Sequence, residues 1–167
     1  MPEEINRMVT DSITDYFFTT TRWASSNLAK TGIDENRIYL VGNVMIDTLL
    51  ANIDRFVKPT IYDELNLQEK GYIMLTLHRP ANVDETNHLK ALMTEIVQNA
   101  KGLPIIFPIH PRTAKLFAEL GIEAPNLHIV SPMGYLEFNY MVKRALAVVT
   151  DSGGITEETT VMGVPCI

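Results

Sequence analysis

The residues best suited to chemistry lie in the segment 151–158, which reads Asp-Ser-Gly-Gly-Ile-Thr-Glu-Glu. The apolar run before it, residues 146–149, predicts a buried parallel strand, and the residues after the glycines predict a helix. Two glycines let a bound group approach the main chain, and the free amides of a first helical turn attract an anion such as phosphate. We therefore predict an anion site around Ser152, Gly153 and Gly154.

The glutamates that follow extend this pattern toward a nucleotide. Glu157 and Glu158 are predicted to lie in the first turn of the helix, where acidic side chains interact favourably with the helix dipole. Glu158 comes one helical turn after Gly154, so its carboxylate could accept hydrogen bonds from a ribose diol. The alternative is a Gly-Gly turn that only reverses the chain, and the motif by itself leaves it open.

Histidine and arginine recur after two other apolar runs. His78 and Arg79 follow residues 72–77, and His110 and Arg112 follow residues 105–109. A titratable ring beside a fixed positive charge suits an anionic ligand, whereas a single histidine at a strand end is more often only structural. The four histidines of the chain lack the close spacing of a zinc site, so no metal is predicted.

Two further groups have a structural reading beside a functional one. Tyr135 and Phe138 could flank a nucleobase, but with Met141 they have helical spacing, and the residues alone favour a place in the core. Glu3 and Glu4 follow a proline and would ordinarily charge the first turn of a helix. A catalytic role for either glutamate would require burial or a neighbouring charge.

The elements that position these residues alternate along the chain. Apolar spacing predicts helices at 3–14, 21–31, 44–56, 84–100, 112–120, 135–143 and after Gly154, with residues 57–70 as a polar stretch. The strands are predicted at 15–19, 37–41, 72–77, 105–109, 127–130, 146–150 and 164–167. This alternation predicts an α/β fold with a doubly wound parallel sheet, whose ligands bind beyond the carboxyl ends of the strands.

Composition excludes several classes of function. A net charge of −6 over 167 residues, with no cluster of basic residues, argues against a nucleic-acid partner. The single cysteine, Cys166, excludes an internal disulfide framework and fits a reducing cytoplasm. No apolar run approaches the length of a membrane span, and the first residues do not resemble a signal peptide.

Several motifs, in order along the chain, resemble the non-hydrolysing UDP-N-acetylglucosamine 2-epimerases. They are Pro-Glu-Glu-Ile-Asn-Arg at 2–7, Val-Gly-Asn-Val-Met-Ile-Asp at 41–47, Thr-Leu-His-Arg at 76–79 and Thr-Asp-Ser-Gly-Gly-Ile-Thr-Glu-Glu at 150–158. The resemblance implies the GT-B fold of two Rossmann-like domains with the active site between them. Residues 1–42 would then end the first domain and residues 43–167 would form most of the second, UDP-binding domain. The chain would be a fragment lacking both ends of such a protein.

The resemblance also implies a reaction. Members of this family invert C2 of the sugar in UDP-GlcNAc and give UDP-ManNAc, through elimination of UDP to 2-acetamidoglucal and re-addition from the other face. Such a reaction needs a base near C2 and stabilisation of the departing diphosphate, and it needs no cofactor. The full-length protein is expected to be a cytoplasmic homodimer, and this chain alone is expected to be inactive.

Specific roles follow from the same resemblance. Glu3 matches the carboxylate of the acid/base chemistry, His78 matches a histidine at the diphosphate and sugar, and Arg7 matches a substrate-side residue that supports the carboxylates. The implied UDP contacts are those of the diphosphate turn, the ribose hydroxyls and the uracil: Ser152, Gly153, Gly154, Glu158 and Phe138. The resemblance thus favours a base contact for Phe138, against the core position that its spacing favours.

One departure from the family pattern concerns regulation. Many bacterial members continue the His-Arg motif as Arg-Glu-Asn, whereas this chain reads His-Arg-Pro-Ala-Asn at 78–82. In some bacterial members the neighbouring arginine and a later histidine help to form a second, activating UDP-GlcNAc site. Arg79 and His110 are the candidates for those positions here, and the altered context also leaves room for a more decorated UDP-sugar.

Two other functions remain open from the sequence. A GT-B glycosyltransferase could use the same Ser-Gly-Gly and glutamate elements to hold a UDP-sugar donor, and it would require an acceptor. A non-catalytic module that binds a nucleotide sugar would show binding without turnover. The adjacent Glu3 and Glu4, followed by Asn6 and Arg7, favour the epimerase.

Overall fold

A computed structural model of the chain describes residues 2–79, 82, 85–109, 117 and 121–167. The chain divides into two compact units, Met1–Thr48 and Leu49–Ile167. This division lies six residues beyond the boundary predicted at Gly42, and the assignment of residues 1–42 and 43–167 to two Rossmann-like domains stays a prediction. None of the helices in the described residues combines the length and apolar character that crossing a membrane requires.

The first unit is built on a short pair of parallel strands. Its elements are α1 (Pro2–Ile13), β1 (Phe17–Thr19), α2 (Arg22–Lys30), a 3₁₀ turn (Glu35–Arg37), β2 (Ile38–Leu40) and the start of α3 (Val44–Asn52). Phe17 pairs with Ile38 in a parallel register. Thr21 starts α2 because its hydroxyl accepts a hydrogen bond from the amide of Ala24, 3.1 Å away, as an N-cap residue does.

The second unit contains the larger sheet and its helices. After a 3₁₀ turn (Ile53–Arg55), the described elements are α4 (Thr60–Glu64), β3 (Ile73–Thr76), α5 (Thr86–Asn99), β4 (Ile105–Pro108), β5 (Leu127–Val130), α6 (Tyr135–Arg144), β6 (Ala147–Thr150) and α7 (Gly153–Met162). The strands are parallel, and their order across the sheet is β5-β4-β3-β6. Cys166 continues the sheet beyond β6 through a parallel bridge to Val148.

Alternate residues of the strands point to opposite faces of the sheet, and each face carries its own core. Met74, Ile106 and Val148 lie in one cluster with Met141 and Val142 of α6. The other cluster contains strand residues together with side chains of α5: Leu75, Ile105, Phe107, Leu89 and Met93. Helices therefore cover both faces, so the predicted doubly wound parallel sheet is confirmed.

The strand order creates a switch point at β3. The chain leaves β3 toward β4 and β5 on one side, and it later returns to add β6 on the other side of β3. In sheets of this kind, the connections after the two central strands diverge to opposite faces and leave a crevice at their carboxyl ends. The residues that follow β3 and β6 are therefore the ones that this fold places at a ligand site.

Some predicted boundaries differ from the structure. The helix predicted over 44–56 ends at Asn52 and passes into the 3₁₀ turn, and the polar stretch 57–70 contains α4. Only Cys166 of the last predicted strand forms a bridge. The predicted place of Glu157 and Glu158 in the first helical turn is wrong, because α7 already begins at Gly153.

Candidate functional site

The carboxylate of Asp151 joins the loop after β3 to the loop after β6. Its oxygens accept hydrogen bonds from the amide of His78 at 3.0 and 3.1 Å, from the amide of Arg79 at 2.8 Å and from the side-chain amide of Asn82 at 3.1 Å. The ring nitrogen Nδ1 of His78 lies 2.6 Å from Oδ1 of Asp151. Hence two of the predicted polar strand ends meet at the switch point of the sheet.

The environment of Asp151 keeps its carboxylate ionised. Its side chain is only 7% exposed, and this burial by itself raises the pKa. The hydrogen bonds from Arg79, Asn82 and His78, together with the nearby His78 ring, outweigh burial and hold the pKa of Asp151 below its ordinary value. Asp151 is therefore a fixed negative charge that faces the β3 loop.

Two threonines with hydroxyls in contact mark the point at which β3 and β6 end and their loops begin. Thr76 and Thr150 end their strands as a register pair, and their Oγ1 atoms lie 2.5 Å apart. The Thr150 hydroxyl oxygen also accepts a hydrogen bond from the amide of Ser152 at 3.1 Å. This contact turns the chain out of β6 just before α7.

The N-terminus of α7 has the features of an anion site. Ser152 is the N-cap residue, with extended backbone angles (φ −94°, ψ 118°), and its side chain makes no capping hydrogen bond. The first amides of a helix have no acceptor within the helix, so they can turn to a ligand. A Cβ atom built on Gly153 would meet nothing within 4 Å, which leaves open space over the first turn.

Glu158 lies in the second turn of α7 and faces α6. It is 8% exposed, and its Oε1 accepts a hydrogen bond from the hydroxyl of Tyr135, 3.0 Å away. Burial, followed by this hydrogen bond, raises the pKa of Tyr135 to about 12. The carboxylate keeps acceptor capacity for a further donor, because each of its oxygens has two lone pairs.

Phe138 and Met141 occupy the helix that carries Tyr135. Phe138 is half-buried and packs against the core on this face of the sheet, and Met141 is fully buried in it. The spacing-based prediction of a core position is thus confirmed for Met141. The contact of Phe138 with a uracil stays a prediction.

Glu3 and Arg7 belong to the first unit and lie on α1. Glu3 is exposed in the first turn of the helix. Arg7 pairs with Glu4, with Nε 3.2 Å from Oε2, and also with Asp11. The pairing with Arg7 lowers the pKa of Glu4, and the same contact raises the pKa of Arg7. The roles assigned to Glu3 and Arg7 stay predictions.

One of the two candidate regulatory residues lies in the part of the chain that the structure describes. Arg79 is exposed and gives its backbone amide to Asp151. His110 lies outside the described residues. Within the described ranges, no three histidine, cysteine, aspartate or glutamate side chains are grouped as metal ligands.

Sequence reasoning missed the parts played by Asp151, Asn82 and Tyr135. The sequence indicates Asp151 only as the first residue of the segment 151–158, and Tyr135 only as a possible base or core aromatic. The sequence does contain a signal for the role of Asp151. An aspartate directly before an N-cap serine and two glycines is not needed to cap the helix, so its carboxylate can bind the amides of another loop. The contacts of Tyr135 depend on how α6 packs on α7, which the sequence does not reveal.

Together these groups can hold and stabilise a phosphorylated ligand. The first amides of α7 offer donors to an anion, the ring of His78 lies beside them and can donate when Nε2 carries a proton, and Glu158 offers an acceptor one turn further along the helix. Donors that are already oriented stabilise charge that develops on a leaving group. The arrangement in the second unit therefore suits departure of a nucleoside diphosphate.

Comparison with known proteins identifies the same class of protein. A family profile described as UDP-N-acetylglucosamine 2-epimerase matches residues 1–167. The UDP-N-acetylglucosamine 2-epimerase of Methanococcus maripaludis is 39% identical over 177 residues, which cover 100% of this chain and 48% of the relative. A UDP-2,3-diacetamido-2,3-dideoxy-D-glucuronate 2-epimerase of Pseudomonas aeruginosa is 36% identical, and the match covers 100% of this chain and 47% of that relative.

A solved structure agrees with the sequence relatives. The crystal structure of Methanocaldococcus jannaschii UDP-GlcNAc 2-epimerase in complex with UDP-GlcNAc and UDP matches with a TM-score of 0.82 and 39% identity. The match covers 99% of this chain and 48% of that chain, so the present chain spans about half the length of the relatives it matches. The predicted Rossmann-like α/β fold and the predicted family are both confirmed, and the chain belongs to the UDP-N-acetylglucosamine 2-epimerase family.

Proposed function

We propose that this chain forms the nucleotide-binding part of an isomerase that interconverts UDP-GlcNAc and UDP-ManNAc. The reaction would proceed by elimination of UDP to 2-acetamidoglucal and re-addition of UDP from the other face. The observation that carries the proposal is the meeting of His78 with the N-terminus of α7 at the carboxyl ends of β3 and β6, in a chain of this family. These are the donors that a departing diphosphate needs.

Each residue has a role in this proposal. Ser152, Gly153 and Gly154 form the turn that binds the diphosphate, with His78 as the partner that stabilises its charge as the bond to the sugar breaks. Glu158 accepts hydrogen bonds from the ribose hydroxyls. By the family resemblance, Glu3 takes part in the acid/base chemistry at C2, Arg7 supports the carboxylates, and Phe138 contacts the uracil.

The proposal also covers the compartment, the oligomeric state and the partners of the whole protein. We infer a cytoplasmic homodimer that binds a UDP-sugar and no nucleic acid. The single cysteine and the net charge of −6 support the compartment and the lack of a nucleic-acid partner. The dimer rests on the family resemblance. Arg79 and His110 are the residues that would help to form a second, activating substrate site.

A more decorated UDP-sugar is the second candidate substrate. The relative from Pseudomonas aeruginosa, named for a diacetamido glucuronate sugar, is 36% identical, close to the 39% of the Methanococcus maripaludis relative. The nucleotide-binding elements would contact UDP, which both candidate substrates contain. Discrimination between the two substrates therefore has to be measured with both.

The test uses a chimera in which this chain replaces the matching segment of the Methanocaldococcus jannaschii epimerase. The chimera is incubated with UDP-GlcNAc in deuterated buffer and followed by proton NMR, and a parallel sample contains the diacetamido glucuronate substrate. We expect UDP-ManNAc with solvent deuterium at C2. The His78→Gln variant should lose on the order of 100- to 10,000-fold in kcat, because an oriented acid/base or charge-stabilising group is removed.

His88→Gln is the matched control, since it makes the same change at an exposed histidine of α5. It should retain the activity of the parent chimera. Deuterium only in the diacetamido sugar would move the assignment to that substrate. A folded chimera that binds UDP but labels neither sugar would contradict the epimerase, and turnover that requires an added acceptor would indicate a glycosyltransferase.

A further inference from the structure

We propose that Asp151 is the positioning residue of His78 and that it fixes the ring with its proton on Nδ1 and with Nε2 turned to the ligand. The role of the ring in turnover rests on the proposed function. The protonated nitrogen is a property of the folded chain, and it can be measured without any turnover.

The first step of the inference concerns the place of Asp151. An aspartate next to a helix start commonly caps that helix, but the N-cap position of α7 is Ser152, and the Asp151 carboxylate instead turns to the loop after β3. The amides of His78 and Arg79 hold both of its oxygens there. With 7% of its side chain exposed, the carboxylate has one fixed orientation.

The second step concerns the proton. Nδ1 of His78 lies 2.6 Å from Oδ1 of Asp151, within the distance of an ion pair. If Nδ1 carried no proton, its lone pair would face those of the carboxylate oxygen at this distance, and the two groups would repel. The proton of the neutral ring is therefore on Nδ1, and Nε2 is the free acceptor.

The third step concerns what this orientation provides. The backbone amide and the ring of His78 are both held by one carboxylate, so the ring direction follows the backbone of the loop. The side chain of His78 is 64% exposed, which leaves its other edge open to a ligand. A proton on Nε2 would then be directed to the diphosphate, because the Asp151 contact fixes the opposite edge of the ring.

A purely structural role for Asp151 makes different predictions. In that case the carboxylate would only tie the β3 loop to β6 through the backbone amides and Asn82, and the ring of His78 would be free to choose its tautomer. A neutral histidine ring without a partner prefers the proton on Nε2. The tautomer of His78 therefore separates the two roles.

The deciding measurement is made on the unmodified chain with ¹⁵N-labelled histidine. Long-range proton–nitrogen correlation spectra at a pH where the rings are neutral report which nitrogen of each ring carries the proton. His78→Gln identifies the signal by its loss. We expect the Nδ1–H tautomer for His78, and a predominant Nε2–H tautomer would overturn the proposal whatever the variants do.

Two variants show whether Asp151 is the cause. Asp151→Ala should return His78 to the Nε2–H tautomer, and persistence of Nδ1–H would contradict the proposal. Asn82→Ala removes another partner of the same carboxylate and leaves the ring contact in place, so the tautomer should not change. An equal shift in both variants would mean that only the loop structure matters, which also overturns the proposal.

Kinetics of the chimera supply a second readout. Asp151→Ala should lower kcat on the order of 100-fold with less effect on KM, because a misplaced ring fails chiefly in the transition state. In the His78→Gln background the same change should cost less than about twofold, since a positioning residue acts only through its ring. Additive losses would contradict the proposal. A wild-type chimera without turnover contradicts the proposed function instead, and the tautomer remains the test of Asp151.

Discussion

Glu158 and Tyr135 form a pair whose members come from different helices. The carboxylate of Glu158 is buried and accepts a hydrogen bond from the Tyr135 hydroxyl at 3.0 Å, while 42% of Tyr135 is exposed. This donor fixes one oxygen of the carboxylate before any ligand arrives. A preoriented acceptor loses less conformational entropy when it binds a diol, which suits the ribose contact proposed for Glu158.

The titration of Tyr135 tests this pair. Desolvation of the hydroxyl and then the hydrogen bond to Glu158 raise its pKa to about 12 although 42% of the residue is exposed, so Glu158→Gln should move the pKa toward the ordinary value of about 10. The contribution of this neutral hydroxyl to the free energy of unfolding should be present below pH about 10 and be lost as the pH rises through about 12. Tyrosinate absorbance, taken as the difference from Tyr135→Phe, measures the shift.

The control for this titration is Glu157→Gln, which removes the same charge from the neighbouring, exposed position of α7. It should leave the titration of Tyr135 close to that of the parent chain. If Glu158→Gln and the parent chain titrate identically, the contact between the two side chains does not exist in solution, and Glu158 is not preoriented by Tyr135.

At the scale of elements, the end of α6 is capped from outside the helix. The hydroxyl of Tyr72 donates to the carbonyl of Met141 at 2.6 Å, and the amide of Lys70 donates to the carbonyl of Arg144 at 2.8 Å. The side chain of Lys70 also reaches the carbonyl of Ala145 at 3.1 Å. The segment before β3 thus satisfies carbonyls that the last turn of a helix cannot pair by itself.

Removal of the Tyr72 hydroxyl tests this cap. Tyr72 is fully buried, so Tyr72→Phe leaves the carbonyl of Met141 without this donor in a dry environment. We expect the free energy of unfolding to fall by about 1–3 kcal/mol, as for a buried polar group that loses its partner. Urea denaturation followed by circular dichroism gives the value.

Tyr62→Phe is the matched control within the same aromatic cluster. The rings of Tyr62 and Tyr72 meet edge to face with centroids 6.0 Å apart, but no hydroxyl hydrogen bond of Tyr62 is present among the described residues. Its loss should change stability by no more than about 0.5 kcal/mol. Equal destabilisation by the two variants would argue against the cap and for a general effect of the cluster.

These elements also show what the sequence can and cannot predict. The strands at 72–77, 105–109 and 146–150 were predictable because parallel strands buried on both faces are continuous apolar runs. Helix α4 was not, because one turn of helix at Thr60–Glu64 is too short to show a period. The Ser-Gly-Gly start of α7 could be predicted as an anion site, and that site stays a prediction. The partners of Asp151 lie 72 and 73 residues away, and only the folded sheet brings them together.

At the scale of the molecule, the two units differ in how much apolar surface they bury. In the described part of Met1–Thr48, Phe17 is the buried large apolar residue, whereas Ile5, Met8, Val9 and Ile13 along α1 are each more than half exposed. The unit Leu49–Ile167 has an extensive core on each face of its sheet. A small unit with few buried residues is expected to be marginally stable.

Limited proteolysis should therefore remove the first unit before the second. We expect mass spectrometry to show a resistant product that begins near residue 49. Phe17→Ala should speed the loss of the first unit, because it deletes a side chain that is 6% exposed. The matched change Phe18→Ala, at a side chain that is 70% exposed, should not. Equal lifetimes for the two units would contradict this expectation.

The link between His78 and Asp151 has a consequence for the order of events during synthesis. The two residues are separated by 73 positions, so a ribosome that adds roughly 5–20 residues per second makes the loop after β3 several seconds before its carboxylate partner. Until β6 pairs with β3, the amides of this loop have no acceptor in Asp151, and α7 has not begun. The nascent chain would therefore acquire the proposed affinity for a nucleotide only late, and a bound nucleotide would selectively stabilise chains whose sheet is complete.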